Sequence, residues 1–353
     1  MWFRARRGRL LGRLGSARGG ADLSVDSAPR VPSAPRRHHP GIPMTKKTWT
    51  VLELIDWSRQ YLSDKGFENT RLETELLLGH ALSLPRIELY LNYDRQMSDG
   101  ELARYKTLLK RRLEREPVQY VIGSAAFMLA EFEVNPAVLI PRPETEALTE
   151  AAMELLEDAG FERARRGSEP EGARTREALV ADVGTGSGAI AVTIAQAFPD
   201  ARVFATDASA EALEVAARNA ERADVSERIE FLEGELLEPL RAQRLDGRLS
   251  ALVSNPPYVR SSDIESLPRE IRDFEPHRAL DGGPDGLDCL RVMAQDGPAF
   301  LAAGGAVALE VGDGQASVVA GLLRDSLGVS EIRRDYAGRE RIVLGRKRQF
   351  DAS

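Results

Sequence analysis

Ala178-Leu179-Val180-Ala181-Asp182-Val183-Gly184-Thr185-Gly186-Ser187-Gly188-Ala189-Ile190-Ala191 runs from an apolar stretch, through three alternating glycines, into a helix-forming segment. A short unbroken apolar run bounded by turn residues reads as a strand buried on both faces. Glycines at its end tolerate positive φ and leave backbone N–H groups clear at a helix N-terminus, where a ligand can sit. A tight strand-to-helix turn that holds no ligand would look the same. Further strand-like runs lie at 202–206, 229–232, 251–254 and 306–310, alternating with helical patterns. That alternation predicts an α/β fold with a mostly parallel sheet covered on both faces. Two last runs, 329–336 and 340–344, flank Ala337-Gly338 and predict a hairpin bringing an antiparallel strand to the sheet edge.

Toward the N-terminus the pattern is helical from 48 to 115. Val51, Leu52, Leu54, Ile55 and Trp57 open an apolar stripe, Asn69 or Thr70 can cap a helix carrying Leu72 and Leu76 to Leu78, and Ser98 can cap another carrying Leu102, Tyr105, Leu108 and Leu109. Residues 44–116 are therefore expected to form a small helical bundle, either a structural cap or a module that recognises a macromolecule. Residues 117–138 turn to strand-like alternation around Phe127, Phe132 and Val134, a β-hairpin linking the bundle to a domain over 139–348. That domain opens with a helix from Pro143 to Gly160, and the charged stretch 162–177 reads as an exposed loop before the sheet.

Asp207 ends the second strand of the α/β region, 23 residues beyond Gly184, where a carboxylate can accept both hydroxyls of a ribose. It can equally cap the helix starting near Ser209. A dinucleotide fingerprint has its third glycine one residue later than Gly184, Gly186 and Gly188 do, so the spacing favours S-adenosyl-L-methionine over NAD. Thr185 and Ser187 complete that turn, and Gly234-Glu235-Leu236 follows the third strand where a polar and an apolar side chain would flank an adenine.

Asn255-Pro256-Pro257-Tyr258 leaves the fourth strand at its carboxyl end, the edge at which open α/β sheets bind ligands. An amide or aniline-like nitrogen is a poor nucleophile because its lone pair is delocalised. Such an NH₂ needs two fixed acceptors, and the Asn255 side-chain oxygen and the Pro256 carbonyl provide them while aiming the nitrogen at an activated methyl group. Asn255 therefore belongs to the catalytic, substrate-binding and cofactor sets together. Pro256 and Pro257 hold φ and stiffen the loop in advance, and Tyr258 would stack on the planar group. No strong base is needed before attack on a sulfonium-bound methyl, and none stands in the motif. A rigid turn without chemistry is the plain alternative.

These residues resemble the release factor glutamine methyltransferases, the PrmC/HemK family, over nearly the whole chain from Thr48. The likeness extends to Arg71-Leu72-Glu73-Thr74-Glu75-Leu76-Leu77-Leu78-Gly79-His80, to Glu116-Pro117-Val118-Gln119-Tyr120-Val121-Ile122-Gly123 and to Ile140-Pro141-Arg142-Pro143-Glu144-Thr145-Glu146. Ala279-Leu280-Asp281-Gly282-Gly283 and Asp335-Tyr336-Ala337-Gly338-Arg339 belong to it too. The resemblance implies a class I S-adenosylmethionine-dependent methyltransferase of Rossmann-like fold, acting on the glutamine of the Gly-Gly-Gln motif of class-1 peptide chain release factors. It implies that the helical bundle helps dock that protein, and that Gly184 to Gly188 and Asp207 hold the cofactor with Leu236 beside the adenine. It also implies that Asn255 to Tyr258 hold the glutamine, with Phe127 as a further wall. Leu236 stands where relatives can carry an aromatic, Glu235 where Asp is frequent, and Leu129 where a glycine follows Phe127-Met128. Arg142, Glu144 and Glu146 either charge a helix start or reach substrate. His80 reads as a packed or surface helix residue, and His277 and Arg278 as cleft residues without a catalytic part.

Composition sets the outer bounds. A chain of 353 residues with 42% apolar content can bury a sizeable core, and its single cysteine, Cys289, and four histidines leave no disulfide framework or metal-ligand spacing, so metal-free chemistry is expected. Nine of the arginines lie in the first 43 residues against Asp22 and Asp26, leaving 39 basic and 53 acidic residues beyond, an excess of 14 negative charges. An acidic body argues against direct nucleic-acid binding, and no apolar run is long enough to span a bilayer. Residues 1–43, rich in Arg, Pro, Ser and Gly, read as a disordered leader. That leader is either a mis-assigned translation start before Met44 or a mitochondrial transit peptide, so the expected location is cytoplasmic, or mitochondrial in the second case. The expected state is a monomer. Two readings compete with glutamine methylation: an N6-adenine or guanine-amino methyltransferase acting on RNA or DNA, which the same acceptors would serve, and a protein that only binds release factor or ribosome.

Overall fold

The computed structural model describes residues 42–44, 48–164 and 176–348. The expected leader up to residue 41 and most of the expected 162–177 loop lie outside the described residues. The helical segment opens with α1 (Val51–Asp64), whose first turn is closed by a reciprocal capping box between Thr50 and Glu53. α2 (Thr70–Leu82) and α3 (Arg86–Leu91) follow, and α4 (Asp99–Leu113) carries a second capping box between Ser98 and Glu101. Leu54, Leu62, Leu77, Leu78, Tyr105 and Leu109 are fully buried between these helices, whereas Leu52 and Leu72 face outward. Asn69 precedes α2 in a left-handed conformation and makes no side-chain cap, so the capping expected there is absent.

Residues 118–122 depart from the expected strand. They form a helical turn, α5 (Val118–Ile122), because Pro117 starts it, Gly123 in a left-handed conformation ends it, and the Arg111 guanidinium holds the carbonyls of Tyr120 and Val121. The hairpin comes next, β1 (Ser124–Phe127) against β2 (Ala130–Glu133), turned by Met128 at φ 53° and the exposed Leu129.

α6 (Pro143–Asp158) begins with proline in its first turn, where no backbone N–H is missed. Leu148, Ala152 and Leu156, spaced by four, are fully buried and pin this helix to the sheet. Each such leucine contributes roughly 1.5–3 kcal/mol. The sheet then builds through β3 (Ala178–Val183), α7 (Ala189–Ala197), β4 (Ala201–Asp207), α8 (Ala210–Arg222) and β5 (Ile229–Glu233). It continues through α9 (Glu238–Ala242), β6 (Leu249–Ser254), α10 (Arg269–Arg272), α11 (Asp288–Asp296), β7 (Leu301–Glu310), α12 (Ala316–Leu327), β8 (Ser330–Arg334) and β9 (Glu340–Arg346).

The seven strands lie in the order β5-β4-β3-β6-β7-β9-β8. β9 alone runs antiparallel to the rest and sits inboard, between β7 and the outermost strand β8. The expected edge hairpin is therefore present, with its antiparallel strand one place in from the edge. One apolar layer gathers α6, α7 and the hairpin on one face, and a second gathers α11 and α12 on the other. This is the class I methyltransferase architecture of Rossmann-like type.

Candidate active site

The strand order reverses at β3, which pairs with β4 on one side and with β6 on the other. Crevices form where the chains leaving two such neighbours diverge to opposite sides of the sheet. Val183 and Ser254 are direct register partners, and the Ser254 hydroxyl donates to the Val183 carbonyl at 2.7 Å. Gly184 and Asn255 are the next residues of their strands, so the glycine turn and the Asn255 loop leave the sheet one strand spacing apart, about 4.8 Å.

The turn is held from below. Gly184 N–H and Thr185 N–H both donate to the Thr206 carbonyl, at 2.8 and 2.9 Å, and Gly186 N–H donates to Asp207 Oδ2 at 2.9 Å. Gly184 and Gly186 sit at φ 74° and 55°, and nothing stands within 4 Å of where a Cβ would lie on either. They open onto a cavity of about 410 Å³ lined also by Thr185, Ser187, Asp207, Leu236, Asn255, Pro256 and Pro257. Its volume lies within the roughly 300–1,000 Å³ of small-molecule sites.

Asp207 does not cap α8. Ser209 does, accepting the Ala212 N–H at 3.2 Å, while Asp207 Oδ1 accepts the Ser209 N–H at 2.9 Å. Each carboxylate oxygen keeps a second lone pair for a ligand hydroxyl. Behind the turn, Asp182 accepts from the Thr185 hydroxyl at 2.6 Å and the Ala191 N–H at 3.1 Å, and its other oxygen is buried without a partner. Burial pushes this carboxyl up to about 7, Asp207 adding to the effect and those two donors opposing it. Apolar and acidic walls around an open glycine cradle fit a nucleoside carrying a cationic side arm.

Across the cavity mouth, Asn255 Nδ2 donates to Thr145 Oγ1 at 3.0 Å, and the Thr145 hydroxyl donates to Glu310 Oε2 at 2.7 Å. Tyr258 donates its phenol to Glu310 Oε1 at 3.3 Å. Burial pushes the Glu310 carboxyl up to about 7 and the Tyr258 phenol above its ordinary range. Among the described residues no protein donor reaches Asn255 Oδ1, so this oxygen keeps its accepting capacity. Thr145, in the first turn of α6, and Glu310, the last residue of β7, were not singled out as site residues from the sequence. Their signals were a threonine inside the Ile140–Glu146 motif and a carboxylate ending an otherwise apolar strand.

Several expected neighbours stand elsewhere. Phe127 is 1% exposed, packed edge-on to Phe132 in the core at 5.9 Å between centroids, and does not line the cavity. Alternation along a strand of four residues turns Phe127 inward with Ala125. Tyr258 lies outside the cavity lining as well, half-buried against the apolar layer of α11 and α12. Arg142 pairs with the buried Glu275, and Glu146 accepts the Met128 N–H at 2.6 Å, so both tie α6 to its surroundings. Arg278 does line the cavity and donates to the Ala208 carbonyl at 3.1 Å, while His277 contacts the Arg272 carbonyl and His80 lies exposed on α2.

Comparison with known proteins agrees with this geometry. Residues 53–123 match the PrmC N-terminal domain and residues 172–270 the methyltransferase small domain. The chain is 42% identical to the release factor glutamine methyltransferase of Geobacter sulfurreducens over 306 residues, 86% of this chain and 99% of that one. It is 40% identical to the enzyme of the same name from Chlorobaculum tepidum, over 82% of this chain and 95% of the other. A further relative of that name, from Moorella thermoacetica, is 40% identical over 85% and 99% of the two chains. Likeness at this level across almost the whole length of such relatives means that the chain belongs to the release factor glutamine methyltransferase family, and that it is an S-adenosylmethionine-dependent methyltransferase.

Proposed function

We propose that this chain methylates the side-chain amide nitrogen of the glutamine in the Gly-Gly-Gln motif of class-1 peptide chain release factors, with Asn255 and Pro256 as the two acceptors of its NH₂. The observation that carries the reading is the Asn255 amide standing beside the glycine turn with its Nδ2 committed to Thr145. Its Oδ1 remains as an acceptor for one substrate N–H, and the Pro256 carbonyl takes the other. Both are held before the substrate arrives, by the proline-stiffened loop and by Thr145, so little reorganisation accompanies attack. Gly184, Thr185, Gly186, Ser187, Gly188 and Asp207 hold S-adenosylmethionine, with Leu236 bordering its adenine; the bound cofactor supplies an electrophilic methyl on a good leaving group. Pro257, which lines the cavity, flanks the planar amide, and Tyr258 braces the loop from behind it through its phenol on Glu310. The amide proton leaves after transfer, when the nitrogen has become acidic, so no base is needed beforehand.

The helical segment over 44–116, joined through the 117–138 linker to the catalytic domain over 139–348, serves to dock the protein substrate. Ile87, Leu91 and Tyr93, exposed on that segment, offer apolar surface for it. The enzyme acts as a cytoplasmic monomer without direct nucleic-acid contacts. Incubation with methyl-labelled S-adenosylmethionine and separate pools of release factor, RNA and DNA tests the substrate assignment. Label is expected on one release factor glutamine; label in nucleic acid alone would overturn the assignment.

A further inference from the structure

Resting on that reading of Asn255, we propose that Glu310, acting through Thr145, is a positioning residue that sets which end of the Asn255 amide faces the methyl-transfer site. A threonine hydroxyl carries one hydrogen and two lone pairs. An ionised Glu310 has no hydrogen to give, so the hydroxyl of Thr145 points its hydrogen at Oε2, 2.7 Å away. Only lone pairs then remain toward Asn255, and they match only its NH₂ end, at 3.0 Å. Oδ1 is thereby turned to the cavity side, where an incoming NH₂ needs an acceptor. The second carboxylate oxygen takes the Tyr258 phenol, so one fully buried carboxylate orders both Asn255 and Tyr258.

Protonation of Glu310 reverses the chain. Its new O–H can donate to Thr145, the Thr145 hydrogen is freed for Asn255 Oδ1, and the flipped amide presents two donors to a substrate that also brings donors. The reaction would stall without any loss of cofactor binding. The charged and titratable groups facing Glu310 pull both ways. Glu144 on α6 favours its neutral form, Arg341 on β9 favours its charged form, and the Tyr258 phenol reaches it from the loop after β6. Arg341 is itself offset by Asp335 at 3.9 Å. With burial dominant the carboxyl titrates near 7, which puts the reversal within the range of an assay.

The test compares kcat and KM across pH 5.5–9 for the wild type, Glu310→Gln, Thr145→Val and Thr145→Ser, with thermal unfolding and S-adenosylmethionine calorimetry on each. Wild-type kcat is expected to rise with pH through a single inflection, and that inflection should coincide with the carbon-13 NMR titration of the Glu310 carboxyl. Glu310→Gln should lose the inflection. Thr145→Val should lose it too and lower kcat roughly tenfold or more at every pH, while cofactor affinity stays within about threefold. Thr145→Ser, which keeps the hydroxyl, should restore both the rate and the profile. A wild-type profile retained in Glu310→Gln, or a Glu310 resonance whose titration does not track kcat, overturns the proposal. The NMR arm needs only the wild-type protein, so a variant that fails to fold does not spare the idea. Should Asn255→Ala be inactive while Glu310→Gln and Thr145→Val behave as wild type, this inference fails alone; a fully active Asn255→Ala removes the reading beneath it.

Discussion

Asn255 and Asp207 line the same cavity, and the proposed function gives them separable work, Asn255 at the group that receives the methyl and Asp207 at the ribose of the donor. Asn255→Ala should therefore cut kcat roughly tenfold or more while S-adenosylmethionine affinity changes little, as for any hydrogen bond made chiefly in the transition state. Steady-state kinetics beside calorimetry check this, and near-normal turnover would count against the role given to Asn255. Asp207→Ala should weaken cofactor binding first, since it removes an acceptor and also frees the Gly186 and Ser209 N–H groups it now holds. Both residues were legible in the sequence because each directly follows or ends a strand, and strand ends in a parallel sheet all point to one edge. Phe127 was not placed correctly by its motif. Its direction depends on the hairpin's face, which packing against Phe132 and α6 selects.

Between residue and fold stand the loops that brace the Asn255 segment. The Val259 N–H donates to the Leu280 carbonyl at 2.9 Å and the Gly282 N–H donates to the Val259 carbonyl at 2.8 Å, so residues 279–283 lie directly against the segment that follows Asn255. A Cβ on Gly282 would stand 2.8 Å from the Pro257 carbonyl oxygen and from Tyr258 Cα, both main-chain atoms. Gly282→Ala should thus displace the loop, costing about 1–3 kcal/mol of stability as overpacking does and lowering kcat more than it weakens cofactor binding. Differential scanning calorimetry with the same kinetics would show it; an unaltered rate would mean that the loop accommodates the methyl elsewhere. From the Gln315 side chain, Nε2 holds the Tyr258 and Gly286 carbonyls at 3.0 and 3.1 Å, a second brace whose donor lies 57 residues beyond Tyr258. The helix start at Ser98 was readable because its capping box acts on Glu101, three positions away, whereas the matching box between Thr50 and Glu53 was not singled out. The turn at 118–122 was not readable, because its helical form leans on Arg111 from the preceding helix.

Taken as one body, the molecule joins its helical segment to the sheet through Arg112, which is buried on α4, pairs with Glu73 of α2 and Glu270 of α10, and lies over the Phe67 ring at 4.2 Å. It also keeps two carboxyls, Asp182 and Glu310, in surroundings that favour their neutral forms, each pushed by burial up to about 7. For such groups the native state binds more protons than the unfolded chain between the ordinary carboxyl range and about 7, so their contribution to stability is complete at low pH and is lost as pH rises through about 7. Raising Glu310 from 4.5 to about 7 corresponds to roughly 3 kcal/mol lost across that window. The Tm of Glu310→Gln should accordingly gain on that of the wild type between pH 5 and pH 8, and a difference independent of pH would contradict the assignment. What the sequence determined alone was everything set within a few residues: strand and helix periods, the sharp glycine turn, the stiff Asn-Pro-Pro-Tyr loop and the acid at a strand end. Only the tertiary structure decided that Thr145 reaches Asn255 across 110 positions and Glu310 across 165. The physical reason is that strand order sets β6 beside β7 and so brings Asn255 and Glu310 to one edge, while α6 packs across both strands and carries Thr145 there, and contacts between distant elements leave no local periodicity from which they can be read.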